Sequence, residues 1–488
     1  MSNRSETVPE RKVHWRRLQA NMGALLLARL IVPLLNVALV VLIARNGGAD
    51  SLGEYTFLIT LFVLLEQLKS FGLPMLIVRD VARDEGLALA KHASLVRLGM
   101  WGAAAGGPVL LAIAAGSGMA SKELIVAAAC IAIGLFPSAF IVANDSLFLA
   151  LGRASLSTSV AMVENASRLV LSLAAVTWLH QGLIALAVIY AATRFAAAFA
   201  QSFVIRRTLR LELAREDHAI SRALLQQAPV ALAIYVAPIV LFRMDVVLLG
   251  ILGTSAEAGV YSAAARLIST AMIVPDGLLT ATFVTLSRFA GEGDREGLSV
   301  LFSRTLRIIC FGLVPATIVG VWLAPVAISM LYGNKWQESV VVLRILLWSL
   351  APFALARAMG DALVAMGRQA QVARIVVMTA SVSLPAYLLL IRAFGAEGAA
   401  WGFVFSAGAV CALSLRACST ETTLARLALF GTTLGPWLLC LGLQQMSDVL
   451  RHTVFSAAAM LASAVVLAAA AFLCRSADKV STLEEPSL

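Results

Sequence analysis

Away from their ends, the runs of apolar sequence long enough to cross a bilayer hold eight cations and six acids, and these are the residues of the chain best suited to chemistry. The cations are Arg29, Lys69, Arg168, Arg194, Arg243, Arg266, Arg344 and Arg357; the acids are Glu66, Asp145, Glu164, Asp245, Asp276 and Asp361. A charge at the centre of a spanning helix costs about 2.5–3.5 kcal/mol on insertion scales, so such residues face a cavity or a partner. Only residues three or four apart share a helix face. Glu66 with Lys69, Glu164 with Arg168, and Arg357 with Asp361 meet that spacing and read as ion pairs within one helix. Arg243 and Asp245 are two apart and point to different faces. Arg29, Arg194, Arg243, Arg266 and Arg344 have no acid at helical spacing.

Arginine never loses its charge, and its planar fork binds oxyanions in a bidentate way. An excess of it in a low-dielectric cavity suits an anionic ligand. Arg29, Arg243, Arg266 and Arg344, with Arg194, are therefore the expected cavity cations; pairing across helices or snorkelling is the alternative for any one of them. A carboxylate beside such a cavity can exchange a proton as the protein alternates, which makes Asp245, Asp276 and Glu66 the expected coupling acids. Cross-helix charge pairing is the competing reading.

The elements that must hold these groups are membrane helices. The chain has 488 residues, of which 60% are hydrophobic and 14% charged, against roughly a quarter charged in a soluble domain. About 20 apolar residues span a bilayer. Runs of that length cover 22–44, 53–78, 94–116, 124–150, 155–178, 183–205, 224–251, 257–286, 303–331, 338–366, 371–393, 398–418, 424–446 and 453–473, fourteen in all. An even number puts both termini on one side. Of the 38 Lys and Arg residues, 25 fall in the N-terminal tail, the even-numbered connections, the C-terminus and their flanks, 5 in the odd-numbered connections and 8 inside spans. The positive-inside rule then assigns both termini to the cytosol. The tail carries Arg4, Arg11, Lys12, Arg16 and Arg17 ahead of a full-length apolar helix without a small-residue cleavage pattern, and reads as a cytosolic segment rather than a removed signal peptide. Seven prolines, Pro33, Pro74, Pro137, Pro229, Pro238, Pro275 and Pro315, interrupt the runs and predict bends.

Composition also sets aside several functions. The formal charge of +10 is explained by the loops, without the basic groove and stacking aromatics that nucleic acid requires. Six scattered cysteines without CxxC spacing read as packing residues, and five unclustered histidines give no metal pattern, so no metal or cofactor is expected. The exported connections are only a few residues long, which leaves no room for the catalytic loop of a membrane glycan polymerase or ligase, and no catalytic residues are expected. A multidrug exporter of cations would favour acids in its cavity over surplus arginine.

The two halves share a motif. Gly47, Gly53 and Tyr55 recur at identical intervals as Gly253, Gly259 and Tyr261, and each is followed by a polar loop, 79–86 (RDVARDEG) and 288–297 (RFAGEGDREG). The most charged interior stretch, 206–222 (RRTLRLELAREDHAISR), lies near the midpoint. The expected organisation is a basic tail (1–21), a six-helix bundle (22–205), a cytosolic linker (206–223), a second six-helix bundle (224–418), two further helices (419–473) and a cytosolic tail (474–488). It is all-α and integral to the membrane.

Leu42-Ile43-Ala44-Arg45 through Gly53-Glu54-Tyr55, Ser70-Phe71-Gly72-Leu73, Arg79-Asp80-Val81-Ala82-Arg83, and Arg243-Met244-Asp245 through Gly250 with Gly259-Val260-Tyr261 resemble the polysaccharide transporter family, which contains the Wzx-type oligosaccharide flippases. The resemblance implies the fold of the multidrug/oligosaccharidyl-lipid/polysaccharide superfamily, two six-helix bundles facing a cavity with helices 13 and 14 appended. It implies a flippase for undecaprenyl-diphosphate-linked oligosaccharide in the bacterial inner membrane, whose diphosphate the cavity arginines would hold. Membrane lipids, and contact with polysaccharide polymerase and chain-length machinery, are the expected surroundings. The lipid II flippase branch shares the helix number and the cationic cavity.

Overall fold

The computed structural model describes residues 8–209, 218–232 and 236–418, and every regular element among them is helical. Hydrocarbon offers no water to backbone N–H and C=O groups, so a spanning segment must satisfy them within itself, which a helix does. Helix α1 (Val8–Lys69) carries the first apolar run and most of the second, which α2 (Leu73–Arg83) completes. The third run is α3 (Ala88–Ala115), and the fourth is split between α4 (Lys122–Ile133) and α5 (Leu135–Ala150). Helices α6 (Ala154–Thr177) and α7 (Leu183–Leu209) are the fifth and sixth. The seventh is broken into α8 (His218–Ala231), α9 (Ala237–Leu241) and α10 (Met244–Leu252), and the eighth into α11 (Ser255–Ala271) and α12 (Ile273–Glu292). Then come α13 (Arg295–Tyr332), the pair α14 (Gln337–Leu347) and α15 (Leu350–Ala365), and α16 (Gln369–Cys418), which contains two runs. By length and hydropathy, eight stretches among the described residues are sufficient to cross a membrane, or nine when α11 and α12, bent by 40°, form one span. The runs 424–446 and 453–473, the tail 474–488 and residues 210–217 of the linker lie outside the described residues.

Proline accounts for two of the internal breaks. A proline at position i cannot bond to the carbonyl at i−4 and its ring clashes with that group. Helix α4 ends at Ile133, four residues before Pro137, and α11 ends at Ala271, four before Pro275. Pro33, Pro229 and Pro315 stay within continuous helices. Conversely, two connections expected between spans are reduced to one glycine. Gly48 (φ 75°, ψ −169°) and Gly395 (φ 54°, ψ −124°) turn the chain inside α1 and α16, in a conformation that a Cβ would strain.

The described residues form two compact units. One runs to Arg266 and includes Ile391–Ala396; the other contains Leu267–Leu390 and continues from Glu397. In lipid, apolar burial alone does not drive helices together, and small residues that permit close backbone approach take that role. In the first unit Gly99 packs on Ala139 and Gly107 on Ala132, while Gly102 lies against the backbone of Lys69. Leu73, Ile77, Leu95, Leu147, Phe148 and Leu224 form a buried cluster joining α2, α3, α5 and α8.

The two copies of the glycine motif touch each other within this unit. A Cβ on Gly53 would strike the carbonyl of Ser255, and one on Gly259 would strike the carbonyl of Ala49. Ser255 stands in the second motif where Ala49 stands in the first. The contact is thus reciprocal, as across a two-fold axis. Thr56 and Ser262, likewise counterparts, meet on that axis, Thr56 Oγ1 donating to Ser262 Oγ at 2.8 Å.

Gly259→Ala is expected to destabilise the protein by roughly 1–3 kcal/mol, the usual cost of overpacking. Gly277→Ala, which meets open space, should be neutral or stabilising; thermal unfolding of the detergent-purified variants separates the two. The stretch 79–83, expected as a polar loop, continues α2, where Asp80 takes Lys91 of α3 at 2.5 Å and its neighbour Arg79 at 2.9 Å. Burial pushes its carboxyl up, but the bonds and charges of Lys91 and Arg79 outweigh this and hold it below the usual aspartate value. A lowered carboxylate contributes stability above the unfolded value, lost as pH falls through the folded one. Asp80→Asn should therefore cost on the order of 0.5 kcal/mol at neutral pH, a deficit that closes as unfolding is measured below pH ~3.9.

Candidate functional site

The charges inside the first unit converge on one cross-helix network. Glu66 on α1 accepts from Arg194 on α7, and the other terminal nitrogen of Arg194 lies 3.6 Å from Glu164 on α6. Glu164 is shared, taking Arg168 from one turn further along α6 at 2.5 Å. Arg168 Nε donates to Thr193 Oγ1 at 3.2 Å, and its guanidinium stacks 4.2 Å above the ring of Tyr190. Arg194 in turn lies over Phe62, 5.5 Å from the ring centre. Two arginines and two carboxylates thus neutralise one another between aromatic faces, as buried ions must where hydration is lost.

Glu164 and Arg168 pair as their spacing predicts. Glu66 and Lys69 do not. Lys69 Nζ instead donates to the carbonyl of Leu135, at 2.7 Å, and to Ser138 Oγ, both at the start of α5. The reason is packing: Gly102 of α3 presses on Lys69 at the last turn of α1, its ammonium reaches α5, and Glu66 is left to Arg194 on α7.

The remaining predicted residues fall in separate places. Asp245, in the first turn of α10, is buried; it accepts from the Tyr261 hydroxyl and from the Val246 N–H at 2.8 Å. Arg243, at the break before α10, is exposed and forms no ion pair among the described residues, so the two do point to different faces. Arg266 is half-buried on α11, within electrostatic reach of the buried Tyr55. In the second unit Arg357 binds both carboxylate oxygens of Asp361 at 3.2 Å, as spacing predicts, and lies 4.0 Å from Asp276 on α12. Arg344 on α14 is half-buried, and its Nε donates to the carbonyl of Val321 at 3.3 Å; it has no acidic partner among the described residues. The side chain of Arg29 lies outside the described residues.

Sequence reasoning did not place Tyr261 on Asp245 or Arg194 between two carboxylates. Neither partnership has a local signal, because helical spacing reports only contacts within one helix. The motif repeat marks Tyr261 but gives it no partner.

The model of the family described as polysaccharide biosynthesis protein matches residues 42–341. No curated protein matches the chain by sequence. Among solved structures, an inward-facing multidrug resistance MATE family transporter of the MOP superfamily superimposes with TM-score 0.67 at 14% identity, covering 82% of this chain and 99% of that one. The lipid II flippase MurJ, in an inward closed conformation, does so with TM-score 0.67 at 12% identity over 91% and 98%. A MOP superfamily transporter from Pyrococcus furiosus with a binding pocket of reverse polarity gives TM-score 0.58 at 14% identity over 84% and 97%. With a family match over most of its length and this fold, the chain belongs to the polysaccharide biosynthesis protein family, as a multi-pass membrane protein built like the MOP superfamily transporters.

Proposed function

We propose that this chain is a flippase that moves undecaprenyl-diphosphate-linked oligosaccharide across the bacterial inner membrane by ion-coupled alternating access, for cell-surface or exopolysaccharide synthesis. The family match supports a role in polysaccharide synthesis. The observation that carries an anionic cargo is Arg344, an arginine in an apolar helix whose only hydrogen bond among the described residues is to a carbonyl. Such a group is costly to keep in a membrane unless a ligand meets it, and its free fork matches a diphosphate. Arg243, exposed and without an ion pair among the described residues, is the second anion-binding candidate. Arg266 and Arg29 are kept as candidates on sequence grounds. Arg194 holds the scaffold, since two carboxylates already take its charge. The basic connections support cytosolic termini.

Coupling is assigned to Glu66, Asp245 and Asp276. Each already has a partner that its protonation would release: Arg194 for Glu66, Tyr261 for Asp245 and Arg357 for Asp276. The likeness to MurJ keeps lipid II as the second reading, because that cargo would present the same chemistry to Arg344.

Arg344→Ala and Arg243→Ala are expected to lower glycan export at least about ten-fold, the loss of one charged contact worth ~1.4 kcal/mol, at unchanged membrane abundance, with Arg344→Lys recovering part of it. Unaltered export in both alanine variants would overturn the cargo assignment. In proteoliposomes, collapsing the proton gradient and membrane potential should stop transport of the lipid-linked sugar; transport that continues at the same rate would refute ion coupling.

A further inference from the structure

Helix α7 has a second face that the charge network does not use. Its inner side packs on α4, α5 and α6: Tyr190, Ala197, Gln201 and Ile205 are buried, and Gln201 Nε2 donates to Asp145 on α5 at 2.9 Å. On the opposite side Phe195, Phe199 and Phe203 stand four residues apart and are all exposed, Phe199 at 75%. The Phe199 and Phe203 rings stack with centres 6.5 Å apart, and the Arg207 guanidinium, one turn further on, lies 5.0 Å over the Phe203 ring. The aromatic ridge thus ends in a cation. Arg206 beside it is also exposed. Neither arginine forms an ion pair among the described residues, and α7 itself contains no acid. A row of small residues, Ala192, Ala196 and Ala200, runs beside the ridge as a trough.

Any exposed apolar face of a spanning helix meets lipid chains, but here length, charge and shape select one kind of lipid. From Phe195 to Arg207 is roughly 18 Å at 1.5 Å per residue, about one leaflet of a ~30 Å hydrocarbon core. That suits an acyl chain of a single leaflet, whereas a polyprenyl chain as long as undecaprenyl overruns it. Two adjacent arginines mark the end of the stripe that the loop charges assign to the cytosolic face, where basic side chains draw anionic headgroups. Stacking on Phe203 fixes the plane of the Arg207 guanidinium and leaves the N–H groups at its edge for phosphate oxygens.

We propose that the outer face of α7 is a binding site for one anionic phospholipid of the cytosolic leaflet. Arg206 and Arg207 hold its phosphate, and one acyl chain lies in the alanine trough against Phe195, Phe199 and Phe203. The arginines select the charge of the head, and the phenylalanines order the chain. The same helix carries Arg194 on its inner side, so an occupant also steadies the helix that joins α1 to α6. The site depends on α7 spanning the membrane with its arginine end in the cytosol, and not on which cargo the protein moves.

The test uses the full-length protein in a neutral detergent, with phosphatidylglycerol and phosphatidylcholine of identical acyl chains as probes, read by native mass spectrometry and thermal unfolding. Phosphatidylglycerol with a diazirine in its chain maps the contact by cross-linking. Wild type should bind one phosphatidylglycerol about ten-fold more tightly than phosphatidylcholine, gain thermal stability saturably, and take the cross-link on Phe195–Phe203. Arg206→Gln combined with Arg207→Gln should abolish the preference for the anionic head. Phe199→Ala should keep that preference while moving cross-links off α7. Should the double variant fail to fold, the wild-type comparison and the cross-link map still decide. Equal binding of the two lipids, cross-links spread evenly over all exposed helices, or an undiminished preference in the double variant would overturn the site. Displacement of phosphatidylglycerol by a lower concentration of undecaprenyl phosphate would overturn the phospholipid as its occupant.

Discussion

The expense of an ion without water governs this molecule. Arg194 shows how the cost is met: one guanidinium spans two carboxylates from different helices, and a second arginine completes the charge balance between Tyr190 and Phe62. Removing one member of such a cluster leaves another buried and unpaired, which is far worse than never having built it. The network therefore ties α1, α6 and α7 together in a medium where apolar contact gives little preference for one helix arrangement over another. Specificity of packing in the first unit comes from polar groups and from shape.

Shape is supplied by small residues. The reciprocal meeting of Ala49, Gly53 and Thr56 with Ser255, Gly259 and Ser262 has the form of an interface between two copies of one surface, here written twice in one chain. Because each glycine admits the other motif's backbone, neither position can accept a side chain without moving its counterpart. The constraint explains why the motif retains its spacing in two stretches that otherwise differ.

Read with the charges, the fold separates two classes of arginine. Arg194 and Arg168 are held by carboxylates and stabilise the scaffold, whereas Arg344 has a carbonyl for its Nε and nothing acidic among the described residues. A surplus of cations counted along the sequence is thus divided into structural ones and ones with capacity for a ligand.

What the sequence determined by itself was whatever is local. The apolar runs predict helices because a chain in lipid must close its own hydrogen bonds; Glu164–Arg168 and Arg357–Asp361 follow from the helical repeat; the breaks at Ile133 and Ala271 follow from prolines four residues later. Only the tertiary structure decided which helices meet. Lys69 and Glu66 have pairing distance along α1, yet the approach of α3, α5 and α7 gives each a different partner. The bonds from Tyr261 to Asp245 and from Gln201 to Asp145 are equally invisible to spacing, because contacts between helices depend on crossing geometry, which no periodicity within one helix encodes.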